Sequence, residues 1–141
     1  MPKSLDGAIQ RLQALALAST DVTIKAAPSY PVEDSAMLPL SIAHIGLGEF
    51  TAEDASSTRH ISSIFVDVHF SLNSLKAAYT QIDLFIQEYL KRLAGDPTLN
   101  GTVDTIVFPV SYSVLAMEWD MLTTVGPRII VPVKLRENPT A

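Results

Sequence analysis

Between Asn73 and Thr102 the chain carries one long amphipathic helix framed by two stop signals, and that helix limits what the rest can fold into. Leu75, Ala78, Tyr79, Ile82, Phe85, Ile86, Tyr89, Leu90 and Leu93 recur at three-and-four spacing, which gathers them on one helical face. Lys76, Thr80, Gln81, Asp83, Gln87, Glu88, Lys91 and Arg92 fill the other face. Asn73 or Ser74 caps the first turn, and Gly95 followed by Pro97 ends the last one. Lys91 and Arg92 in the final turn complement the negative end of the helix dipole. Alternating segments flank the helix on both sides, so its apolar face is expected to lie across a sheet. An α+β class follows from this; no chemistry does.

Ser4 caps a shorter, Ala-rich helix running to about Ser19, with Leu5, Ala8, Ile9, Leu12, Leu15 and Ala16 as its stripe. Its small side chains place it at an edge of the fold. Pro28 and Pro31 around Tyr30 then force extended or turn backbone. A strand is expected over Leu38 to Ile45 and a second from about His60 to Leu72. In the second, Ile64, Val66, Val68 and Phe70 share one face, and Phe65, Asp67 and His69 the other. The 14 residues from Gly46 to Arg59 are polar, carry Glu49, Glu53 and Asp54, and have Phe50 as their only aromatic. They read as a long hairpin or a projecting loop, a length usually reserved for function.

Beyond the long helix, Thr98-Leu99-Asn100-Gly101 makes a turn into a third strand with Ile106, Phe108, Val110, Tyr112 and Val114 on one face. Pro109 cannot donate to a ladder, so this strand is expected at an edge or bulged. In a fourth, from about Arg128 to Leu135, Ile129, Val131, Val133 and Leu135 face one way. Arg128, Ile130, Pro132, Lys134 and Arg136 face the other, so three of the ten basic residues share one side. The expected order is α-β-β-α-β-β, a mostly antiparallel sheet of about four strands packed by the two helices, in one domain spanning residues 1–141.

Composition narrows the function classes. A chain of 141 residues, 48% of them hydrophobic, is large enough for a self-sufficient core. It has no cysteine, which excludes disulfides and thiolate chemistry. A formal net charge of −5 argues against unaided nucleic-acid binding, which needs clustered Lys and Arg. No apolar run is long enough to span a membrane, and Met1-Pro2-Lys3-Ser4 leads into a helix without the pattern of a signal peptide. Charged residues make up only 18% against roughly 25% in soluble domains, as expected if a partner covers part of the surface. A well-packed monomer with a Thr/Ser-rich surface is the plainer alternative.

Catalytic constellations are thin. His44 and His60 flank the polar stretch and with Glu49 could approach a zinc set, but the spacing matches no zinc signature. Asp67 and His69 begin a base–orienter pair. Ser63, four residues from Asp67, lies roughly 13 Å away along a strand, so the pair lacks a nucleophile and reads as a solvated or interfacial polar face. Glu118 and Asp120 around Trp119 form an acidic turn, with the indole as a packing or interface anchor. Gly46 and Gly48 precede a strand instead of a helix N-terminus, so they cradle no phosphate. No catalytic residue, metal or cofactor is expected. The candidate residues belong to a protein interface: Glu49, Phe50, Glu53, Asp54, Trp119, Arg128, Lys134 and Arg136.

One wider pattern remains: an Ala/Leu-rich first helix, Leu38-Pro39 opening a strand, a second strand, the long helix, and then Asp96-Pro97-Thr98-Leu99-Asn100-Gly101-Thr102-Val103. Two β segments with an aromatic stripe close on the basic-alternating strand. Nearly the whole chain resembles, in element order and length, the tail terminator (tail completion) proteins of long-tailed bacteriophages, most sharply at Leu99 to Val103. The resemblance implies a non-enzymatic virion protein at the tail–neck junction, assembled in the host cytoplasm. It would cap the tail tube as a hexameric ring of self-contacts, touch the tube protein and the head or neck connector, and let phage DNA pass through its lumen without specific binding. Other phage head–tail joining proteins share the size and layout. A hot-dog-like thioesterase is a third reading; it wants a carboxylate near the first turns of the central helix, where Lys76, Ala77, Ala78 and Tyr79 stand, with Asp83 on the polar face.

Overall fold

A computed structural model describes residues 3–28, 38–52, 58–72, 74–119 and 122–137. Two helices and five strands follow in the order α1 (Leu5–Leu17), β1 (Leu40–Ala52), β2 (Thr58–His69), α2 (Leu75–Ala94), β3 (Thr105–Ile106), β4 (Ser111–Trp119) and β5 (Leu122–Glu137). The class is α+β with an antiparallel sheet, as expected. Ser4 Oγ accepts from the Gly7 N–H and Ser74 Oγ from that of Ala77, so each helix starts at a serine that leaves an orphan donor satisfied. Asn73, the other expected cap, lies outside the described residues, as do Tyr30 and Pro31.

The sheet runs β1-β2-β5, and both β3 and β4 lie along the far edge of β5. The expected third strand is therefore two. Val107 N–H donates to the Pro132 carbonyl, but Pro109 has no N–H, and the chain pairs again with β5 only from Ser111. The last strand is also longer than expected, because it starts at Leu122 and runs through Gly126-Pro127. Val125 exchanges both backbone hydrogen bonds with Phe70, so Pro127, two residues on, presents its nitrogen to the same neighbour, β2. Lacking the N–H, it interrupts the β2–β5 ladder while the β4–β5 ladder continues past it from Trp119↔Leu122 to Ser111↔Ile130.

The polar stretch after Ile45 is mostly strand. Its hairpin is paired from Gly48↔Ser62 to Ala52↔Thr58, with Glu53 and Asp54 outside the described residues. A bulge makes Gly46 and Leu47 oppose Ser63 alone, and this switches faces. Ser41, Ala43 and Ile45 share the helix-side face with Ile64, Val66 and Val68, whereas beyond the bulge Gly48 and Phe50 take that side.

The core fills the helix side of the sheet. Ile64, Val66, Val68 and Phe70 meet Ile129, Val131, Val133 and Leu135, and onto these pack Ile82, Phe85, Ile86, Tyr89 and Leu93 of α2 and Ala8, Leu12 and Leu15 of α1. Leu75 and Tyr79, assigned above to the apolar face, are exposed, while Ala78 and Ile82 of the same turns are buried. Tyr89 donates its hydroxyl to the Leu12 carbonyl, and burial pushes that phenol far above its ordinary pKa. Helix α1 sits at the β1 edge: Gln13 Nε2 donates to the Pro28 and Ser41 carbonyls, and Ser41 Oγ donates to Gln13 Oε1.

The Leu99–Val103 phrase has a structural reason. Leu99, Asn100 and Gly101 all take positive φ, at 47°, 57° and 80°, which turns the fully buried Leu99 back into the core. Asp96 Oδ1 holds the Asn100 N–H and Asp96 Oδ2 takes Arg11 Nε at 2.8 Å, tying the helix exit to α1.

Candidate protein-interaction surface

The sheet face away from the helices carries a polar cluster that joins three strands. Register puts Asp67 of β2 between Ile42 of β1 and Arg128 of β5. Arg128 donates from Nε and Nη2 to the two Asp67 oxygens at 2.8 and 3.0 Å, the two-pronged geometry that makes guanidinium–carboxylate pairs strong. His44 Nε2 lies 3.1 Å from Asp67 Oδ2, and the Arg128 guanidinium stands 5.2 Å over the Phe65 ring. Burial raises the Asp67 pKa, but the hydrogen bonds and charges of Arg128 and His44 outweigh it and hold the carboxyl below its ordinary value. Nearby, His69 Nδ1 lies 2.7 Å from Thr124 Oγ1, and burial lowers the pKa of this imidazole.

These groups line a cavity of about 380 Å³ between the β1–β2 hairpin and the residues Met117 and Glu118 of β4. Asp67 and His69, expected on a solvated or interfacial face, are instead buried, in the cavity that Leu115, Ala116, Met117 and Glu118 of β4 also line. The imidazole that Asp67 orients is that of His44, a residue on another strand. The carboxylate is fully engaged and acts as a clasp between β1, β2 and β5. His44 faces Phe65 and His60 faces Phe50 on opposite sides of the sheet, so the two histidines do not converge. Among the described residues no group of three or more metal-ligating side chains gathers.

Two outcomes follow from the clasp. Arg128→Met is expected to cost about 1.5–3 kcal/mol by urea unfolding at pH 7, since it strips two charged hydrogen bonds from a buried carboxylate. Asp67→Asn added to it should recover part of that loss, and no recovery would mean that the pair is not coupled. His69 gives a pH signature. A group whose pKa is lowered on folding binds its proton more tightly in the unfolded chain, so stability should fall as pH drops below the ordinary value of 6.5. One linked proton limits the slope to about 1.4 kcal/mol per pH unit. His69→Asn should flatten urea midpoints measured between pH 7 and 5. Asp67 acts in the same direction at lower pH: its contribution is present above 3.8 and is lost as pH falls through its depressed value.

The other candidate residues are scattered. Arg128 is committed to Asp67, so the expected row of three outward cations is not uniform. Lys134 is half-buried opposite Ile61 and Thr105. Arg136 pairs by its backbone with Arg59, and Trp119 ends β4; their side chains and Asp120 lie outside the described residues. Glu49 and Phe50 stand exposed on the hairpin.

Two apolar neighbours of Phe50 escaped the sequence reading. Ile45 is 54%, Leu47 83% and Phe50 67% exposed, and the bulge spreads them over both faces of the hairpin. The Gly46-x-Gly48 spacing hid Leu47 by breaking the alternation. At the opposite sheet edge, Phe108 and Tyr112 are each 51% exposed, and Phe108 lines an apolar cavity of about 400 Å³ with Leu90, Leu93, Pro109 and Val110. Asp83, the carboxylate a thioesterase-like site would use, is exposed on α2 and accepts from Gln87 Nε2 at 3.1 Å.

Among the described residues no helix is long and apolar enough to cross a membrane. The sequence matches no protein-family model, and no curated protein matches it.

Proposed function

We propose that this chain is a tail-terminator-like ring protomer, which caps a phage tail tube, ends its polymerisation and offers a second surface to the head or neck connector. The observation that carries the reading is the bulged β1–β2 hairpin, with the large apolar side chains Ile45, Leu47 and Phe50 exposed over its two faces. A monomer gains nothing from such a hairpin, whereas a protomer in a closed head-to-tail ring buries it. The order α-β-β-α with the Leu99–Val103 helix exit supports the same family likeness. The mechanism is steric. One ring face copies the contacts by which one tube ring holds the next, and the other face lacks them, so growth stops. DNA passes through the lumen, and the acidic balance of the chain keeps it from adhering. The chain acts without a catalytic step; the exposed, hydrogen-bonded Asp83 speaks against a thioesterase-like site.

The test is solution mass by light scattering with negative-stain imaging, alone and with purified tail tubes, followed by tube length in a polymerising mixture. Hexameric rings that fix tube length are expected. Rings that bind heads but leave tube length free would move the assignment to a neck protein. A compact dimer indifferent to tubes would overturn the proposal.

A further inference from the structure

We propose that successive copies join through their sheets, the outer edge of β1 in one copy pairing antiparallel with the outer edge of β4 in the next, so that Phe50 packs on Tyr112, two residues from the cavity-lining Val110. This deepens the ring reading and rests on it. Along the path β1-β2-β5-β4 every neighbour is antiparallel, so four strands alternate in direction and the two outermost run opposite ways. Repeating the sheet head to tail therefore sets β4 against β1 with the alternation unbroken and the helices on one side throughout.

Both edges are open to this. Gln13 and the Ala26 bridge cover β1 only around Leu40 and Ser41. From Ile42 onward, among the described residues, no strand pairs with its outer edge, and none pairs with the outer edge of β4. Such edges are normally blunted with lysines or prolines. Neither strand contains a lysine or proline, and each carries one acidic residue, Glu49 and Glu118.

Side chains choose the register. Directly opposed residues share a face, and Phe50, opposite His60, lies on the helix side, as does Tyr112, opposite Ile129. Setting Phe50 against Tyr112 pairs two exposed aromatic side chains two residues from Val110, which with Leu90, Leu93 and Phe108 lines the apolar cavity at that edge. The same register sets Gly48 against Val114, Glu49 against Ser113 and Leu47 against Leu115, with no like charges opposed. The apolar side chains left bare at one edge thus match the apolar lining at the other, which makes a second copy the fitting occupant.

The absence of native cysteine allows a direct test. Phe50→Cys and Tyr112→Cys, both at exposed positions, are combined in one chain and treated with a short bismaleimide reagent. A ladder of covalent multimers is expected from the double variant. Phe50→Cys alone and Phe50→Cys with Leu84→Cys on the outer side of α2 should give none. Dimers from Phe50→Cys alone would replace the proposal with symmetric pairing of two β1 edges. Imaged rings without the Phe50–Tyr112 ladder would overturn the pairing and leave the ring reading standing. A ladder on open chains that never close would keep the pairing and overturn the ring. Monomers with and without tubes would overturn both.

Discussion

Phe85→Ala is expected to cost about 3–5 kcal/mol of folding stability, a large share of the roughly 5–15 kcal/mol that holds a domain together. Phe85 is fully buried where α2 crosses the sheet. Its ring stacks on Tyr89 at 5.2 Å and meets Phe70 of the β2 end edge-on at 6.5 Å. Those neighbours are fixed from both sides: Tyr89 is anchored through its hydroxyl to α1, and Phe70 through two backbone hydrogen bonds to Val125. Neither can collapse far into the space left by the lost ring, so the cavity term adds to the transfer term. Leu84→Ala, one position earlier on the exposed side, serves as the control and should stay within about 0.5 kcal/mol. Urea unfolding of both variants decides the matter. A Phe85→Ala loss below about 1 kcal/mol would mean that α2 presents another face to the sheet.

The helices and the two central strands were legible because their signals are local. Both serine caps, the α2 stripe from Ala78 to Leu93 and the alternation of Ile64–Phe70 and Ile129–Leu135 depend only on period and on neighbours in sequence. What escaped depends on partners far along the chain. The β1 bulge moves Phe50 to the helix side, and only the pairing with β2 reveals it. Arg128 reads as a free outward cation until Asp67, 61 residues earlier, is set opposite it. The burial of Asp67 and His69 was hidden for the same reason: the sequence puts both on one face of a strand, but the partners His44 and Arg128 come from two other strands. The extension of β5 through Gly126-Pro127 was hidden by two residues that ordinarily punctuate strands. Here β4 supplies the ladder that Pro127 cannot make with β2.

Gly126 should show the second large effect. A Cβ built on it would lie 1.7 Å from the Val68 carbonyl oxygen, and no rotamer change relieves a clash with backbone. Gly126→Ala is therefore expected to force β2 and β5 apart, to shift the Phe70–Val125 hydrogen bonds, and to cost at least about 3 kcal/mol, the upper end for overpacking. Gly101→Ala is the informative contrast. Gly101 has a φ of +80°, the usual reason for a glycine, but nothing within 4 Å of the added methyl group, so only the backbone penalty of about 1–2 kcal/mol applies. The ordering of the two costs separates close approach from conformational freedom. If Gly126→Ala proved no worse than Gly101→Ala in urea, β5 could not pass this close to Val68. The continuous strand through Pro127, and with it the placement of β4 at the outer edge of the sheet, would then be wrong.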